Sequence, residues 1–194
     1  MTSPEFALAI DWETSGSDFN GDSHVSYQGL SFGAAVVRIS TFEIVDSLYL
    51  EIKFDESKYK WSKEAEAIHG LTREYLEENG VDRETAAVSL AELILKYFNP
   101  DKRMIFIGHS VDFDIAFTQQ ILSDHDIHIR VHPIRFDTRS FAHALLGINK
   151  SDDLFALMGF PERTGHNAME DCIYTVESLR IIKEIFTNGL NGNT

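Results

Sequence analysis

The sequence predicts a single α/β domain in which a mixed sheet of five strands is flanked by helices. Three observations carry that prediction: strand-length apolar runs recur along the chain, segments of helical apolar spacing separate them, and no Pro-, Gly- or Ser-rich linker divides the 194 residues. With 43% hydrophobic residues the chain is long enough to bury a sizeable core.

Taken in order, "FALAIDWET" (6–14) has strand length and an apolar body. "LSFGAAVVRI" (30–39) and "FEIVDSLYLEIKF" (42–54) read as the second and third strands of a meander begun by the first, turning near Ser40 and Thr41. Residues 17–28, "SDFNGDSHVSYQ", read as a polar surface loop, with a cover or flank for a site as the alternative. In "ETAAVSLAELILKYF" (84–98), Ala87, Leu90, Ile94 and Phe98 recur on one helical face. A buried strand from Met104 to Ile107 then turns into a helix carrying Asp112 and Asp114. "RVHPIRFDT" (130–138) suggests the fifth strand, with Asp137 capping the helix through "RSFAHALLG". "GHNAMEDC" (165–172) opens a last helix: Asn167 is the N-cap, Glu170 stands at the third helical position, and Cys172, Val176, Leu179, Ile182 and Phe186 follow on the core face. The domain is expected to span residues 1–188, with 189–194 a flexible tail.

The chemistry lies in the acids. A strand's period of two places Asp11 and Glu13 on one face, where two anions repel unless a cation or shared proton relieves them. Hard oxygen donors without a nearby Cys ligand favour Mg²⁺ or Mn²⁺ over Zn²⁺. Two such ions roughly 3.5–4 Å apart clamp a phosphodiester, one activating a water and the other steadying the leaving 3′-oxygen. Asp171 falls in the first turn of the last helix and His166 just outside it, a division suited to a metal ligand and a general base. The alternatives are a plain strand end at Asp11 and Glu13 and a solvated loop histidine at His166. Between Asp112 and Asp114, only one is expected to be a ligand.

Three motifs in order, "DWETSG" (11–16), "GHSVDFD" (108–114) and "HNAMED" (166–171), together with "EAEAIHGLTREYL" (64–76), make the chain resemble the DEDDh 3′–5′ exonucleases over roughly residues 5–187. That family includes the proofreading epsilon subunit of bacterial replicative polymerases, RNase T and oligoribonuclease. The resemblance implies a ribonuclease-H-like fold, two Mg²⁺ or Mn²⁺ ions held by Asp11, Glu13, Asp114 and Asp171, and His166 as the base that deprotonates the attacking water. It selects Asp114, directly after Phe113, and leaves Asp112 as a cap or surface residue. It also implies substrate contacts from Thr14, His69 and Phe113. Two positions depart from the pattern: Ser110 stands where the family usually has Asn, weakening a polar contact near the site, and Ser17 follows Gly16 where an apolar wedge is common.

Charge limits the substrate. The net charge is −14, and removing the four ligand carboxylates leaves −14 + 4 = −10, so the site alone does not explain the acidity. Nonspecific affinity for long nucleic acid comes largely from Lys and Arg, so a short footprint at a single-stranded 3′ end is expected, or delivery by a partner. Lys102, Arg103, Arg135, Arg139 and Arg163 are the candidate phosphate contacts, read as solvated surface charges. The reading is a metal-dependent exonuclease of DNA or RNA ends that releases nucleoside 5′-monophosphates. Its alternatives are an oligoribonuclease- or RNase T-like exoribonuclease and a nuclease-fold binding module without catalysis. The resemblance leaves open a polymerase or other replication or repair protein as partner, and a homodimer. One cysteine, Cys172, excludes an intrachain disulfide and points to a reducing, cytoplasmic compartment, and no apolar run has membrane or signal-peptide character.

Overall fold

The computed structural model describes residues 4–18 and 22–191. Its elements are β1 (Phe6–Thr14), α1 (Ser23–Ser26), β2 (Gly29–Arg38), β3 (Glu43–Glu51), α2 (Lys63–His69), α3 (Arg73–Asn79), α4 (Arg83–Tyr97), β4 (Arg103–Gly108), α5 (Val111–Ser123), β5 (Arg130–Val131), β6 (Phe136–Asp137), α6 (Thr138–Leu146), α7 (Ser151–Leu157) and α8 (Ala168–Asn191). The sheet is mixed: β1, β2 and β3 form the expected antiparallel meander, and β4 lies parallel to β1 on its other side.

The fifth strand is two short pieces. Residues of "RVHPIRFDT" pair with β4 twice, as β5 near its start and as β6 at its end, so the order is β3-β2-β1-β4-β5 with β6 also on β4. Pro133 lies between the pieces and cannot donate a ladder hydrogen bond. Asp137 caps α6 as expected, its Oδ1 accepting from Ser140 N at 2.7 Å.

Alternation along β1 and β2 sorts the core into two layers. Leu8, Ile10, Trp12, Phe32, Ala34 and Val36 pack with α4 and α5 on one face. Ala7, Ala9, Ala35 and Val37 face the other way, against Cys172, Val176 and Leu179 of α8. The second face is built of small residues, which lets α8 lie close. It comes close at Gly33, the register partner of Asp11, where an added Cβ would fall 2.4 Å from the Ala168 oxygen and from Met169 Cα. Gly33→Ala therefore forces the start of α8 away from the sheet beside Asp11. We expect a loss of roughly 2–3 kcal/mol of stability, as for overpacked cores, together with weakened divalent-metal binding; thermal melts and calorimetric titration check both.

The segment before β2 is more than surface decoration. Residues 19–21 lie outside the described ones, but Asp18 and Ser23 exchange hydrogen bonds, Gln120 of α5 donates to the carbonyls of His24 and Tyr27, and the buried Gln28 amide bridges Lys53 O and Asp55 N. At the other end, α8 continues past the expected start of the tail to Asn191, since extending an existing helix carries no nucleation cost. Residues 192–194 lie outside the described ones. No helix among the described residues is long and apolar enough to cross a membrane.

Candidate active site

Parallel β1 and β4 both run toward one edge of the sheet, the usual place for a crevice beyond the carboxyl ends of strands. There a pocket of about 150 Å³ is lined by Asp11, Glu13, Asp114, His166 and Asp171, with Trp12, His109, Phe113, Ser151, Phe155 and Thr175 completing its walls.

Each acid arrives by a local rule. Asp11 and Glu13 continue the α8-facing row of β1 that begins with Ala7 and Ala9. Asp114 lies in the first turn of α5, whose start is fixed by Asp137: its Oδ2 accepts from Val111 N at 2.8 Å. Asp114 is 3% exposed, and its Oδ1 accepts from Trp12 N at 3.0 Å, which ties α5 to β1. Asp112, two residues earlier and so on the opposite helical face, pairs with Arg135 at 3.1 Å in solvent. Asn167 caps α8 by accepting from Met169 N and Glu170 N, both at 3.1 Å, and Asp171 follows in the first turn. Glu170 does not close a capping box; it accepts from the Tyr174 hydroxyl instead. His166, on the loop before α8, is held by its own N–H to Ile68 O and places Nδ1 3.3 Å from Asp171 Oδ2.

The substrate candidates divide. Phe113 both lines the pocket and packs on Phe117, with ring centroids 4.9 Å apart. Thr14 is buried, and its hydroxyl donates to Gly16 O at 2.9 Å. His69 ends α2 before left-handed Gly70, and its Nδ1 accepts from Leu71 N while the rest of the ring is buried against the Thr14 backbone. Ser110 is not in the acid pocket. It takes a left-handed conformation at the α5 N-cap, accepts from Arg139 at 3.0 Å, and lines a neighbouring groove with Phe113, Arg139 and His143.

Arg163 overturns its reading as a solvated charge. Its side chain is 4% exposed, and the guanidinium bridges Asp171 and Asp152. It sits in irregular chain before His166, where no periodicity marks burial. His109, to which the sequence assigns no role, stands on the pocket wall and bonds Thr138 Oγ1 through Nδ1 at 3.0 Å.

The electrostatics are those of a site short of positive charge. Burial pushes the Asp11 carboxyl up to about 7 against the pull of Arg163. Glu13 is raised to about 8, by burial first and then by the Asp11 charge. Burial holds Asp114 well above the carboxylate range, with Asp11 adding to it. His166 moves the other way, lowered by burial and by Arg163.

The residues fit a hard divalent ion. Glu13, His166 and Asp171 offer ligand atoms that all lie within 4.8 Å of one another, and the Arg163 guanidinium lies against the buried Asp171 Oδ1 where a cation would sit. The donors are oxygens and one imidazole, while Cys172 is buried in the core behind them.

A pH dependence follows. Carboxyls raised from 3.8 to about 7 and from 4.5 to about 8 keep protons in the folded state that the unfolded chain has lost. Metal-free stability therefore falls as pH rises through that window. In EDTA the melting temperature is expected to drop between about pH 5 and pH 8, and stabilisation by added Mn²⁺ to grow over the same interval. A flat metal-free profile would remove this account of the cluster.

Comparison with known proteins agrees with this geometry. The family model described as RNase_T, Exonuclease, matches residues 8–179. The chain is 27% identical over 189 residues to the 3′-5′ DNA exonuclease Cap18 of Escherichia coli, covering 95% of both. It superposes on E. coli exonuclease I in complex with a 5cy-dT13 oligonucleotide with a TM-score of 0.72 at 18% identity, over 94% of this chain and 41% of that one. It thus spans about two fifths of exonuclease I. The nuclease domain of 3′hExo, a DEDDh family member bound to rAMP, gives 0.65 at 13% identity over 94% of each chain. These likenesses establish the ribonuclease-H-like exonuclease fold. With the family model spanning most of its length and the three acidic motifs meeting in one pocket, the chain belongs to the RNase T exonuclease family, the DEDDh-type 3′–5′ exonucleases.

Proposed function

We propose that this protein removes nucleoside 5′-monophosphates from single-stranded 3′ ends of DNA. The observation that carries the reading is the convergence of Asp11, Glu13, Asp114, Asp171 and His166, drawn from β1, α5, α8 and the loop before it, on one small pocket. Asp11, Glu13, Asp114 and Asp171 would hold two Mg²⁺ or Mn²⁺ ions, which supply Lewis acidity at the scissile phosphate and a lowered water pKa.

The chain's own residues do the rest. His166 is neutral at pH 7, because burial and Arg163 disfavour its cation, so it is ready to take a proton from the attacking water. Phe113 offers a half-buried aromatic face beside the acids, where the terminal nucleotide stacks. His69 stands against the Thr14 backbone, placed to border the terminal sugar. Thr14 contributes through its backbone, since its hydroxyl is spent on Gly16.

Two facts favour DNA and a short footprint. The relative covered along 95% of its length is named a DNA exonuclease, and exonuclease I has been solved with DNA oligonucleotides. The net charge of −14 disfavours a long phosphate-tracking groove. The lone buried Cys172 fits a reducing, cytoplasmic setting.

Digestion of 5′-labelled single-stranded DNA and RNA of several lengths, with Mg²⁺, Mn²⁺ or EDTA, tests the proposal. A metal-dependent ladder shrinking from the 3′ end, faster on DNA, is expected. Faster loss of RNA makes the protein an exoribonuclease, and no cleavage by folded, metal-loaded protein makes it a binding module.

A further inference from the structure

The proposed chemistry leaves the burial of the Arg163 side chain unexplained. That side chain is 4% exposed against 7% for Asp171, and one guanidinium nitrogen lies against Asp171 Oδ1. The same group reaches Asp152, with Nε donating to Oδ1 at 3.1 Å, and its central carbon lies 5.0 Å from the centre of the Phe155 ring. Asp152 is at the rim, 62% exposed. One guanidinium thus spans a carboxylate inside the acid cluster and one outside it. Arginine does not lose its proton in proteins, so it leaves an anion only by moving.

We propose that Arg163 is a built-in counter-cation of the acid cluster, spanning Asp171 and Asp152 in the metal-free protein and keeping Asp152 alone when a divalent ion takes Asp171. This rests on the reading of the pocket as a metal site. Two consequences follow by linkage, since a group that binds only the metal-free state competes with metal. Removing Arg163 tightens metal binding and removes charge compensation from the empty pocket. Removing the Asp152 carboxylate deprives the displaced guanidinium of its remaining partner and weakens metal binding.

Simple loss or gain of net charge would give the same two signs, so the decisive measurement is a double-mutant cycle. Mn²⁺ alone is titrated calorimetrically into wild type, Arg163→Gln, Asp152→Asn and the double variant, with melting temperatures in EDTA alongside. Expected are a dissociation constant at least about tenfold lower for Arg163→Gln with a lower metal-free melting temperature, and one about threefold higher for Asp152→Asn. In the Arg163→Gln background, Asp152→Asn should then change nothing. If Arg163→Gln does not fold, unchanged affinity in Asp152→Asn, an exposed and tolerant position, is enough to overturn the proposal. Additive effects overturn it while leaving the metal site standing. Absence of Mn²⁺ binding by wild type overturns the metal reading, and the inference with it.

Discussion

Asp114→Asn is expected to lower turnover by at least about a thousandfold, on the order of 4 kcal/mol of barrier, without destabilising the metal-free protein. The carboxylate is 3% exposed, and its one side-chain hydrogen bond accepts from Trp12 N. An Asn carbonyl oxygen accepts that bond equally well, so α5 stays anchored to β1. What is lost is negative charge at the centre of the pocket. In the metal-free protein burial already disfavours that charge, with Asp11 adding to the effect. The variant should therefore melt in EDTA at or above the wild-type temperature, yet bind Mn²⁺ far more weakly. Single-turnover digestion and calorimetric titration measure the two halves. A variant within tenfold of wild-type activity, or with wild-type Mn²⁺ affinity, would exclude Asp114 from the ligand set.

The contrast between Asp112 and Asp114 shows what a sequence can and cannot announce. Strand period alone put Asp11 and Glu13 on one face, and the structure has them there because the neighbouring odd positions, Ala7 and Ala9, bury against α8. Capping chemistry alone located the start of α8, because Asn167 satisfies backbone donors within its own turn. Choosing Asp114 over Asp112 needed the motif, since the helix start that orients them is set by Asp137, 26 residues further on. Long-range partners of this kind leave no local trace. Ser110 illustrates the same point: its side chain is claimed by Arg139 in a neighbouring groove. Arg163 was least legible of all. A charged residue in irregular chain has no period to betray its burial, and the four acids that draw it inward come from three separate elements.

The same guanidinium shapes the last expectation. His166→Ala should reduce turnover by about 10²–10⁴-fold, the usual range for a general base, while four carboxylates keep Mn²⁺ binding near the wild-type level. The pH profile separates a base from a ligand. Burial, then Arg163, lower the His166 pKa below 6.5, and divalent charge in the pocket acts in the same direction. At saturating metal, where the carboxylates no longer titrate in the neutral range, the wild-type rate should rise with pH through an inflection below the ordinary histidine value and then level off. Loss of Arg163 would move that inflection upward, toward the ordinary histidine value. In His166→Ala the inflection should vanish. Should it persist in that variant with chemistry rate-limiting, the proton acceptor is another group, and His166 serves only to orient Asp171 across their 3.3 Å contact.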